Sequence, residues 1–289
     1  VDNLPLSDTE SGSWGLKYAN NEVCYPATLI VGDIIKAFKS GRYDPNKCAI
    51  AMSQTGGQCR ASSYVPLIRK ALIDAGYTDT PVISISMDST IKNNQPAFKV
   101  NWMKVLPVAV RSVLYSDCIS KFYHATVVRE KTEGSSARLK DLYLEQADGL
   151  IRSNRSKELY DNLRAAANDF NELCKDDDTR IPKVGVVGEI FLKFNSFAQN
   201  EIIKKLMNMK IEVVPSALTD FFTQAFVNNK INRMTHLADN GLSVMTEKLF
   251  YQILSHEIKQ VNKIAGSFRY FHPFDDIFAK AESAQQVVS

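Results

Sequence analysis

Two of the five cysteines stand where a thiol can do chemistry. Cys24 lies in the turn Asn20–Pro26, directly before a helical pattern that Pro26 opens. Cys59 ends the loop that holds Gly56 and Gly57, where a short apolar run hands over to a second helical pattern. Helix N-termini carry unpaired N–H groups and a partial positive charge, a setting that favours thiolate over thiol. The thiolate is the form that ligates iron or zinc. Gly56 and Gly57 let the backbone approach a bulky inorganic cluster, and their N–H groups can donate to cluster sulfur or to a bound anion. Arg60 is placed to pair with such an anion, or to stand as a solvated charge at a helix start. Glu189, at the end of an apolar strand pattern, reads either as an acid/base or substrate-binding carboxylate or as an ordinary exposed one.

The remaining cysteines read as packing. Cys48 begins an apolar run, Cys118 shares helical spacing with Leu114 and Phe122, and Cys174 follows Leu163, Ala167 and Phe170. An odd, sparse set of cysteines does not make a disulfide framework. There is no C-x-x-C, and His124, His236, His256 and His272 do not pair with the cysteines locally, so a zinc finger is poorly supported. The Gly56–Arg60 turn lacks both the dinucleotide fingerprint and the Walker lysine, and Gly185 with Gly188 also falls short of that fingerprint.

The elements that must carry these residues are two strand–helix–strand units with a helical stretch between them. In the first, Leu29, Ile30, Ile34, Ala37 and Phe38 give a helix one apolar face, and Gly41 ends it. Cys48–Met52 and Pro81–Ser86 have strand length, and a helix with Tyr64, Leu67, Ile68, Ala71 and Leu72 on its face joins them. That connection predicts a parallel pair. Trp102 to about Val127, interrupted by Pro107, then Glu133–Leu150 and Ser156–Cys174 predict a helical middle. The second unit is Lys183–Glu189, a helix near Gln199–Met209, and Ile211–Val214, followed by helices at Ala217–Val227 and about Leu242–Ile264. The expected fold is α/β: two Rossmann-like lobes with short parallel sheets and a helical middle, the second lobe incomplete. The expected domains are a cysteine-bearing α/β lobe at 1–130, a helical connector at 131–175 and a second α/β lobe at 176–289.

Composition bounds the function. The 289 residues are 45% hydrophobic and 23% charged, ordinary for a globular protein, and a net charge of +3 gives no basic tract for nucleic acid. No apolar stretch approaches the roughly 20 residues a bilayer span needs. The expectation is a cytoplasmic protein with no membrane or nucleic-acid partner. The chain starts with Val and reads as a cut piece of something longer.

Three segments carry a family likeness: Leu16–Ala27 with its Cys-Tyr-Pro, Met52–Tyr64 with its Gly-Gly-Gln-Cys-Arg, and Lys183–Ile190 with its Val-Gly-Glu. In order and spacing, from about Trp14 to about Phe274, the chain resembles the 2-hydroxyacyl-CoA dehydratase-like part of acyl-CoA dehydratase activase-related proteins. The resemblance implies two α/β lobes that hold an oxygen-sensitive iron–sulfur cluster, of the 4Fe-4S kind, on three cysteines. It implies a lyase chemistry in which one electron passes to a 2-hydroxyacyl-CoA thioester and the resulting ketyl radical expels water. The partners it implies are an ATP-hydrolysing activator, which supplies the electron, and an acyl-CoA substrate. By motif, Cys24 and Cys59 would be two cluster ligands, with Gly56, Gly57, Arg60 and Glu189 near the cofactor. The further cysteine-containing segment of the family is absent, so the third ligand is either missing or supplied by an unfamiliar residue, and the fragment alone is not expected to be complete. Two other readings stay open. One is a non-catalytic scaffold piece of a larger activase-related protein. The other is a metal-free CoA- or phosphate-binding module built on the Gly56–Arg60 turn.

Overall fold

The computed structural model describes residues 2–20, 22–53, 63–85, 101–175, 180–237 and 243–288. In chain order the elements are α1 (Thr9–Tyr18), α2 (Tyr25–Lys39), β1 (Ile50–Ser53), α3 (Tyr64–Asp74), β2 (Val82–Ile85), α4 (Trp102–Thr126), α5 (Ser135–Arg152) and α6 (Leu159–Leu173). There follow β3 (Lys183–Val186), α7 (Ile190–Phe194), α8 (Ile202–Asn208), β4 (Glu212–Pro215), α9 (Leu218–Met234), α10 (Ser243–Ala265) and α11 (Ile277–Val288). The protein is mostly helical, with two separate two-stranded parallel sheets. The chain divides into two compact units, Val1–Val100 with Gly188–Ile202, and Asn101–Val187 with Ile203–Ser289.

The first unit is built around α2. Its apolar positions Ala27, Val31, Ile34, Ile35 and Phe38 pack with Ile68, Leu72 and Val82 into one core. Gly41, at φ +70°, takes the left-handed turn that ends the helix. β1 and β2 run parallel from Ile50 opposite Val82 to Ser53 opposite Ile85, with α3 as the crossover. α1 has no comparable apolar face. It begins with a reciprocal cap, in which Asp8 accepts from the Ser11 N–H at 2.9 Å and Ser11 Oγ accepts from the Asp8 N–H at 3.1 Å. It then crosses α2 at backbone contact. A Cβ on Gly15 would lie 2.1 Å from the Thr28 carbonyl oxygen, and one on Gly32 would lie 1.7 Å from that of Ser11.

In the second unit the helical middle and α10 share one core. Leu114, Cys118, Ile119 and Phe122 of α4 meet Leu163, Ala167 and Phe170 of α6 and Val261 and Ala265 of α10. The Phe122 ring lies 4.9 Å from Phe268 and 5.7 Å from Phe170, in tilted geometry. α4 runs through Pro107 without a break. The proline forfeits one backbone bond, near an end of the helix where Met103 is 88% exposed. β3 pairs with β4 in parallel from Lys183 opposite Glu212 to Val186 opposite Pro215. Asp117, buried on α4, accepts from the N–H groups of Leu218 and Thr219, both at 2.9 Å, and so starts α9.

Five features depart from the sequence pattern. Helices α1, α7 and α11 carry no apolar periodicity that announces them, and α9 continues to Met234 rather than stopping at Val227. β3 ends at Val186, so Glu189 does not lie on the strand.

Candidate functional site

Cys24 is the N-cap residue of α2, with Pro26 in the first turn. Its carbonyl accepts from the Thr28 N–H at 3.2 Å, but its side chain makes no capping bond. The thiol is therefore free of the helix it introduces, and the residue is exposed. Its sulfur lies 3.9 Å from the hydroxyl oxygen of Tyr64, the first residue of α3. Tyr64 is itself buried, packed in the core beneath α2 and α3. That contact joins positions 40 residues apart. No local spacing signals it; the only hint in the sequence is that Tyr64 opens the helix following Cys59.

Cys59, Gly56, Gly57 and Arg60 lie outside the described residues. Glu189 is described. It is exposed and serves as the N-cap of α7, its carboxylate accepting from the Leu192 N–H at 3.0 Å. The segment that carries it folds with the same compact unit as Cys24.

The other described thiols are packed into the protein. Cys118 and Cys174 are fully buried, and burial pushes both thiols up from their ordinary range. Cys174 is also engaged, its sulfur 3.4 Å from the Phe170 carbonyl oxygen and 3.7 Å from Thr126 Oγ1. Cys48 is half-buried against the core of the first unit. Among the described cysteines Cys24 alone is an exposed residue. Among the described residues no three His, Cys, Asp or Glu side chains gather to hold a metal ion.

No family model, curated protein or solved structure matches this chain. The described residues include no helix long and apolar enough to cross a membrane. In the second unit a cavity of about 150 Å³ opens between α9, α10 and the stretch 274–277, lined by Thr219, Tyr251, Ser255, Lys259, Asn262 and Asp276 among others. None of the residues singled out by sequence lines it.

Proposed function

We propose that this chain is an iron–sulfur-cluster-binding, dehydratase-like electron-transfer module, acting in 2-hydroxyacyl-CoA dehydration or derived from a protein that does. The observation that carries the reading is the exposed Cys24 thiol at the start of α2, 3.9 Å from the Tyr64 hydroxyl. Tyr64 follows Cys59 by five positions, so the two motif segments of the family likeness meet through that contact. On this reading Cys24 and Cys59 are two cluster ligands, and the two parallel strand–helix–strand units are reduced Rossmann-like lobes. When bound, the cluster supplies one-electron chemistry. This chain's own residues supply the thiolates and the helix N-terminus that favours negative charge beside them. The partner is an ATP-hydrolysing activator and the substrate class an acyl-CoA thioester.

Anaerobic reconstitution with ferrous iron and sulfide tests the reading. The expected product is brown, with a broad band near about 400 nm from thiolate-to-iron charge transfer. Iron content and absorbance should both fall in the Cys24→Ala/Cys59→Ala double variant. A colourless wild-type protein, with no more iron than the double variant, overturns the proposal.

A further inference from the structure

We propose that residues 188–202 form a hinged strap, latched to the N-terminal segment of its unit through Ser7. The inference stands on geometry separate from the cysteines. Gly188–Ile202 folds with the first unit, although the chain on both sides of it belongs to the second. Unusual backbone marks both ends. Gly188 has φ +147°, and Asn200 and Glu201 are consecutive non-glycine residues at φ +54° and +56°. Such positions are uncommon and persist where the chain must reverse direction sharply.

Between these ends the strap is internally tied. Glu189 accepts from the Leu192 N–H at 3.0 Å, Asn195 Oδ1 from the Ala198 N–H at 2.9 Å, and Gln199 Nε2 donates to the Lys193 carbonyl at 3.2 Å. Yet none of its residues is fully buried, so no deep apolar anchor holds it. The latch is polar. Asn195 Nδ2 donates to Ser7 Oγ at 2.8 Å, and Ser7 Oγ donates to Asp33 Oδ2 at 2.7 Å. Asp33 is a firm base, because its side chain is 10% exposed on the most buried helix of the unit. The flanking backbone is pinned as well. Lys36 Nζ donates to the Leu6 carbonyl at 2.9 Å and pairs with Asp8 at 3.0 Å. A stiff segment with hinged ends and a hydrogen-bonded latch opens as a body at small free-energy cost, well below global unfolding.

Hydrogen exchange read by mass spectrometry on the whole chain tests this. Ser7→Ala and Asn195→Ala should each speed exchange in peptides spanning 188–202 by about three- to tenfold, the range one lost hydrogen bond gives. Exchange in α2 should stay at the wild-type rate. The double variant should exchange no faster in the strap than Asn195→Ala alone, because Asn195→Ala already cuts the bond to Ser7 as well as the Asn195 Oδ1 bond to the Ala198 N–H. Asn195→Ala leaves the Ser7–Asp33 bond in place, so its effect does not depend on any disturbance of α2. Unchanged strap exchange in Ser7→Ala, which leaves every bond within the strap in place, overturns the latch. So does a rise shared equally by α2, or a double variant whose effects multiply.

Discussion

At the scale of single residues the chain separates its thiols by what surrounds them. Cys24 follows a polar turn, caps nothing and faces water, whereas Cys118 and Cys174 are enclosed by the aromatic core of the second unit. Alkylation therefore reports the difference directly. With iodoacetamide under native conditions, Cys24 should be modified well before Cys118 and Cys174. Cys118 and Cys174 should react on the order of a hundredfold more slowly or less, because modification requires opening of the core. Peptide mapping after a timed quench reads this, and modification of Cys118 at a rate like that of Cys24 would contradict it. The same contrast shows what was legible. The polar Asn20–Pro26 turn and the Leu114, Cys118, Phe122 spacing sort these cysteines without a structure. The Tyr64 contact was not legible, because a side-chain pair brought together by α2 packing on α3 leaves no trace in spacing.

At the scale of elements, the helices with an apolar face were legible and those held by other means were not. α2 is written in its spacing, its Pro26 and its Gly41. α1 offers the core only Trp14 and Tyr18, and is held besides by its cap and by backbone contact with α2. That origin reverses the usual effect of replacing a helical glycine. Alanine is favoured over glycine by about 1 kcal/mol in a helix interior. At Gly32, however, the new Cβ would lie 1.7 Å from the Ser11 carbonyl oxygen, a backbone atom that cannot step aside. The helices must separate, at a cost of about 1–3 kcal/mol or more. Gly32→Ala is expected to lower the urea midpoint, while Gly12→Ala, with open space around its Cβ, should raise it slightly. Equal effects at the two positions would disprove the backbone crossing. α5 depends on a different device. Glu130 accepts from the N–H groups of Gly134 at 2.7 Å and Ser136 at 2.8 Å, and from Ser136 Oγ at 2.6 Å. Desolvation pushes its carboxyl up, but the hydrogen bonds from Ser136, Gly134 and Ser135 outweigh this and hold it below the ordinary range. The folded value lies below the unfolded one, near about 4.3. The stabilisation is thus complete above the unfolded value and lost as pH falls through the folded value. Glu130→Gln should cost about 1–2 kcal/mol at pH 7, and the gap from wild type should close towards pH 3 in parallel thermal melts. A gap that persists at pH 3 would mean the carboxylate charge is not what starts α5.

At the scale of the whole molecule, each unit is assembled from distant stretches, which is why neither followed the order of the sequence pattern. The first recruits 188–202 from late in the chain. The second closes around Glu212, the first residue of β4, whose side chain is 1% exposed. Arg129, just beyond α4, reaches one carboxylate oxygen at 2.6 Å. Its other terminal nitrogen donates to the Ala125 carbonyl, also at 2.6 Å, and its guanidinium lies 4.2 Å from the centre of the Tyr270 ring. His272 Nε2 stands 3.0 Å from the other carboxylate oxygen, with Lys183 Nζ at 3.7 Å. One carboxylate thus ties α4, both strands of the sheet and the stretch after α10. Burying these charges is costly, and their attraction offsets the cost only while both partners are present. Glu212→Leu leaves the Arg129 guanidinium enclosed without its counter-charge and should cost about 3–5 kcal/mol. Adding Arg129→Met removes the stranded charge and fills its volume with apolar atoms. The double variant should therefore be more stable than Glu212→Leu alone, a non-additivity that urea midpoints of the four proteins measure. If instead the two losses add, Arg129 contributes through its Ala125 and Tyr270 contacts alone. The closure around β4 would then rest on His272 and Lys183, both of which are more exposed to solvent than Arg129.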